Sequence, residues 1–113
     1  VNIYPENIRD ALTKKSIEGE ISGKFVMTTR DNKQINQYLD INIELRDGVV
    51  KKSLNLEKKI TESIIKTLKQ KNKEYNELYK SLGSKVEPQI KLCQYGHKDY
   101  FPLGVKQKWH KKT

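Results

Sequence analysis

The chain has 113 residues, 35% hydrophobic and 33% charged, with 23 Lys and Arg against 14 Asp and Glu, a formal charge of +9. That describes one domain with a thin core, large enough to fold without disulfides or metals. The single cysteine, Cys93, excludes an internal disulfide, and no apolar run approaches the ~18 residues of a membrane span.

Nothing resembles a signal peptide, so the expected compartment is the cytosol. The positive charge favours anionic partners but does not choose among nucleic acid, nucleotides, coenzyme A and acidic protein. Val1 is not a Met and the first residues already read as structure, so a piece of a longer protein is expected.

Val1-Asn2-Ile3-Tyr4 reads as a short extended segment. Pro5 then starts a helix, since its missing N–H costs nothing at the first helical position. Ile8, Ala11 and Leu12 share one face, and Lys14 and Lys15 suit a last turn, so the helix is expected over 5–15. A strand follows from Glu20 to Thr29, with Ile21, Gly23, Phe25, Met27 and Thr29 on one side. Asp31-Asn32-Lys33 is a turn signal.

Tyr38 to Arg46 alternates most cleanly. Leu39, Ile41, Ile43 and Leu45 interleave with Tyr38, Asp40, Asn42, Glu44 and Arg46. That is a strand with one buried and one wet face, paired with its predecessor as an antiparallel hairpin.

Leu54 to Leu82 is helical, with Ile60, Ile64, Ile65 and Leu68 on one stripe and a candidate break at Asn72. Gly83 is a good C-cap, and Glu87-Pro88 stops the helix. Gln89 to Tyr95 is a last strand, and Gly96-His97-Lys98-Asp99 a turn. The order predicts an α+β, ferredoxin-like split βαβ fold: a four-stranded, antiparallel-rich sheet with two helices on one face.

Tyr100-Phe101-Pro102-Leu103-Gly104-Val105-Lys106-Gln107-Lys108-Trp109 reads as a loop that packs at its aromatic base and offers cations at its tip. Elsewhere the candidate chemistry is sparse. His97 and His110 have no metal-ligand or catalytic partners at suitable spacing, and Cys93 suits a small half-buried residue on a strand. Asp40 and Glu44 share the wet strand face, the ordinary place for solvated carboxylates. That face carries one aromatic, Tyr38, and two acids, a poor stacking platform for RNA. There is no phosphate-cradling Gly-rich loop.

The two ends together resemble a known family. Val1-Asn2-Ile3-Tyr4-Pro5-Glu6-Asn7-Ile8-Arg9 is similar to the start of the small C-terminal domain of phenylacetate-CoA ligases, in the AMP-dependent acyl-CoA synthetase superfamily. There a Gly-Val-Asn-Val-Phe-Pro-type stretch follows the interdomain hinge. Ile3 and Tyr4 stand for its Val and Phe, and Arg9 stands where the family usually has an acid.

The family ends in a Gly/Lys loop whose lysine enters the active site during adenylation. Gly104-Val105-Lys106-Gln107-Lys108 occupies the corresponding place, with Val105 between Gly and Lys where the family has none. Lys106 or Lys108 could be the equivalent, and Lys106, nearer to Gly104, is preferred.

The resemblance implies that residues 1–113 are the C-terminal lid domain of an AMP-forming acid:CoA ligase. Its large N-terminal domain and hinge would lie before Val1. Lys106 would be the catalytic lysine, and Gly104 and Lys108 would sit against the cofactor. ATP, coenzyme A and Mg2+ would serve the whole enzyme, with none expected for the isolated domain. Its partners would be the N-terminal domain and a carboxylic acid, most simply an aryl acid. The alternatives are a small basic module binding nucleic acid or an anionic protein, and a regulatory ferredoxin-like domain.

Overall fold

In the computed structural model, which describes residues 2–32, 36–49 and 54–104, Pro5 opens helix α1 (Pro5–Ala11). Glu6 sits in its first turn, where the helix dipole favours an acid. The helix is shorter than the expected 5–15. Leu12 closes it, and the Thr13 hydroxyl donates to the Asp10 carbonyl at 2.7 Å.

Lys14 is extended and caps a second short helix, α2 (Lys15–Glu18), so the two lysines lie beyond α1 and not in its last turn. The break has a packing reason. Ile17 follows Ile8 by about two and a half helical turns, so one continuous helix would point them in opposite directions. With the helix divided, Ile8, Ala11, Leu12 and Ile17 all enter one core.

β1 (Ile21–Asn32) and β2 (Asn36–Leu45) form the expected antiparallel hairpin, with Phe25 opposite Ile43 and Met27 opposite Ile41. It is longer than expected. Asp31 and Asn32 pair with Gln37 and Asn36 as strand residues, and Lys33 lies outside the described residues. β3 (Gln89–Cys93) completes a three-stranded sheet in the order β1-β2-β3.

β3 runs parallel to β2, with Ile41 beside Ile90 and Ile43 beside Leu92. A helical crossover returns the chain to the end from which β2 started, and that permits a parallel neighbour. The fold is α+β and of the ferredoxin-like split kind. Among the described residues, however, the sheet has three strands and is mixed, not the four expected. Residues 2–4 do not join it. The Asn2 carbonyl instead accepts from the Asn72 side-chain amide at 2.8 Å.

The crossover is α3 (Leu54–Lys71) and α4 (Lys73–Leu82). Leu56, Ile60, Ile64 and Leu68 recur every fourth residue along α3 and are all buried. Asn72 makes the break. Its Oδ1 accepts the Tyr75 N–H at 2.9 Å while its amide holds Asn2, so one side chain caps α4 and tethers the N-terminal segment. Gly83, at φ +61, ends α4 and leads into a single 3-10 turn, Gly83–Val86.

All four helices face one side of the sheet, where Phe25, Met27, Leu39, Ile41, Ile43, Leu45 and Leu92 form the core. The Ser63 hydroxyl donates to the Ala11 carbonyl at 2.7 Å, pinning α3 to α1. The nearby Lys71–Asp10 ion pair is half-exposed and adds little.

Tyr75 is buried in this core and donates to the Val86 carbonyl at 3.1 Å. Burial, and secondarily the charge of Glu87, push its phenol well above the ordinary tyrosine range. The unfolded chain ionises Tyr75 near pH 10 while the folded chain holds the proton, so stability falls as pH rises above about 10. Urea midpoints measured from about pH 8 to 11 should show this loss, and Tyr75→Phe should make it shallower. An unchanged slope in Tyr75→Phe would remove Tyr75 as its cause.

Candidate functional site at the C-terminal turn

Beyond β3 the chain doubles back on itself. Gly96 adopts φ +72, a backbone conformation that calls for glycine, and a Cβ there would lie 3.1 Å from the exposed Leu103 side chain. The His97 N–H donates to the Gln94 carbonyl at 3.1 Å, and the Phe101 N–H to the His97 carbonyl at 2.6 Å. His97 Nδ1 accepts the Asp99 N–H at 3.3 Å, and its ring lies 5.5 Å from that of Tyr100. His97 therefore shapes the turn.

Phe101 is the expected anchor. It is buried against Val26 and Cys93, with Tyr100 packed beside it. Pro102 is half-buried, while Leu103 and Gly104 are exposed. Gly104 takes φ +79, and no atom of the described residues beyond its chain neighbours lies within 4 Å of where a Cβ would stand. Lys106, Lys108, Trp109 and His110 lie outside the described residues. The structure thus shows the base of the candidate lysine loop and its glycine, and ends short of the lysines.

The turn covers the sheet face expected to be wet. Val26 is buried beneath it, and Thr28, Asn42 and Glu44 on the same face are buried as well. The Cys93 thiol is also buried and lies 3.9 Å from Asn42 Oδ1, consistent with a small packed residue. Asp40 is half-buried, whereas Glu44 is only 1% exposed.

Glu44 accepts the Ser22 hydroxyl at 2.6 Å and the Gly96 N–H at 2.7 Å. The solvated role expected for Glu44 is therefore corrected: it binds the C-terminal turn to the sheet. On the same face Phe101 packs over Val26 and Cys93. Two signals could have pointed here. Val26 is apolar on the supposedly wet face, and Phe101 stands a few residues after a glycine turn.

Among the described residues no group of three or more His, Cys, Asp or Glu could hold a metal ion, and no helix is long and apolar enough to cross a membrane. No family model matches the sequence, and no curated protein matches it. Among solved structures, the chain is similar to a domain of phenylacetate-coenzyme A ligase from Bacteroides vulgatus ATCC 8482. The TM-score is 0.54 and the identity 19%, over 100% of this chain and 88% of that one. At that identity the likeness establishes a shared fold: this chain is built as that ligase domain is.

Proposed function

We propose that this chain is the C-terminal domain of an AMP-forming acid:CoA ligase of the phenylacetate-CoA ligase type, working in the cytosol. The observation that carries the reading is the fold likeness to a phenylacetate-coenzyme A ligase domain along the whole chain. The Asn2-to-Arg9 stretch entering α1 at Pro5, and the Gly104-to-Lys108 stretch after the Phe101 anchor, support it at both ends.

In this reading the domain closes over a larger N-terminal domain that binds the acid and most of ATP. Lys106 approaches the acid carboxylate and the α-phosphate. The described residues contain no cluster of acids for Mg2+, so the ATP phosphates and the N-terminal domain would hold that ion. A rotation of the small domain would then present another surface for thioester formation with coenzyme A.

The test is acid-dependent ATP–pyrophosphate exchange by the complete protein, with a panel of aryl and alkyl carboxylic acids. Exchange with at least one aryl acid is the expected result. A folded complete protein that supports exchange with none of them overturns the reading. Residues 1–113 alone are expected to release no pyrophosphate from ATP with any acid, because the acid pocket and most phosphate contacts would lie on the other domain. Measurable release from this chain would contradict that division of labour.

A further inference from the structure

Glu44 is the one charged side chain among the described residues that is buried, and no cation lies within ion-pair distance of it there. A carboxylate buried without a cation is costly unless hydrogen bonds replace its lost water. Oε1 accepts from the Ser22 hydroxyl and Oε2 from the Gly96 N–H. Ser22 Oγ in turn accepts the Lys24 N–H at 3.1 Å, so its own proton is committed to Glu44. Ser22 sits where the β1–β2 register shifts, between Ile21 and Phe25.

Packing alone would be met at lower cost by an apolar side chain of similar length. What the carboxylate adds is a short, charge-assisted bond to a backbone N–H 52 residues further along the chain. That bond falls at the head of the C-terminal turn. Phe101 holds the same turn lower down, on Val26 and Cys93. With both points held, the chain reaches Gly104 from a fixed base.

We propose that Glu44 is a positioning residue. Its carboxylate latches Gly96, and with it the 94–104 turn, onto β2, and so fixes the base from which the chain leaves Gly104. The consequence for catalysis rests on the ligase reading above, whereas the latch itself does not.

Two measurements test this, beginning with amide hydrogen exchange on the folded chain. Glu44→Met keeps the length and leaves neither donor an acceptor. Exchange of the Gly96 amide should quicken about 10- to 100-fold, with that of Phe101 following, while α3 amides stay protected. Ser22→Ala removes the other donor and should leave Gly96 largely protected. Phe101→Leu should loosen the later part of the turn and spare Gly96.

If Gly96 exchanges unchanged in Glu44→Met, or is freed equally by Phe101→Leu, apolar packing holds the turn and the latch is overturned. Should Glu44→Met unfold the whole chain, the Phe101→Leu profile still decides between carboxylate and ring.

The second measurement separates the half-reactions in the complete protein. Glu44→Met should lower the adenylation rate about tenfold or more, with thioester formation from pre-made acyl-AMP much less affected. A loosened turn with unchanged adenylation would overturn the positioning role. Absence of adenylation in the unsubstituted protein would instead overturn the ligase reading and with it the consequence for catalysis, leaving the exchange result to judge the latch.

Discussion

Replacing Lys106 with Ala in the complete protein should lower the rate of acyl-adenylate formation by about 10²–10³, while thioester formation from pre-made acyl-AMP largely survives. The expectation follows from the charges that must meet. A carboxylate and an α-phosphate repel as they approach, and negative charge builds on the phosphoryl oxygens in the pentavalent transition state. A lysine ammonium is a compact point charge suited to that place. In a closed site poor in water, one such contact lowers the barrier by roughly 2.7–4 kcal/mol.

In the proposed reading the same lysine would have no part in thiolate attack on a finished adenylate, and hence the expected split between half-reactions. Lys108→Ala is the necessary companion, because Val105 stands between Gly104 and Lys106. If Lys108→Ala gives the split and Lys106→Ala does not, Lys108 is the adenylation lysine. If neither variant gives it, the residues after Gly104 are a basic tail.

Replacing Ile41 with Ala should destabilise the fold by about 2–5 kcal/mol. Ile41 lies on the central strand, fully buried, between Met27 on one side and Ile90 on the other. Its side chain faces the layer of Ile8, Ile60, Ile64 and Leu68. Truncation leaves a cavity that its neighbours in the sheet and the helical layer cannot close without moving one against the other, so the cost should lie well inside that range. Urea unfolding of Ile41→Ala beside Lys59→Ala provides the measurement. Lys59 is exposed on α3, and its removal should change stability by no more than about 0.5 kcal/mol. A loss below about 1 kcal/mol for Ile41→Ala would mean that this strand is not the centre of the core.

The parts of this protein legible from sequence are those whose signal is local. Alternation at Leu39, Ile41, Ile43 and Leu45 marked β2, because each of these side chains is buried against the same helical layer. The four-residue recurrence along α3 did the same for the helices, and Asn72 announced the break that its side chain makes by capping α4. Pro5 marked the start of α1. Phe101 was recognisable as an anchor from its own character and its place before Pro102, though its contacts with Val26 and Cys93 were not.

What tertiary structure alone decided depends on groups far apart in the chain. The direction of β3 follows from the end of the sheet to which the crossover returns, which no residue within β3 encodes. The break between α1 and α2 follows from the need to bring Ile17 to the side occupied by Ile8. The fate of Glu44 is the clearest case. Its strand pattern says only that it points away from the helices, and in most sheets that direction is water. Here a turn 52 residues later folds over it, and the Gly96 N–H takes water's place. Alternation reports which side chains share a face. Only the path of the rest of the chain determines what covers it.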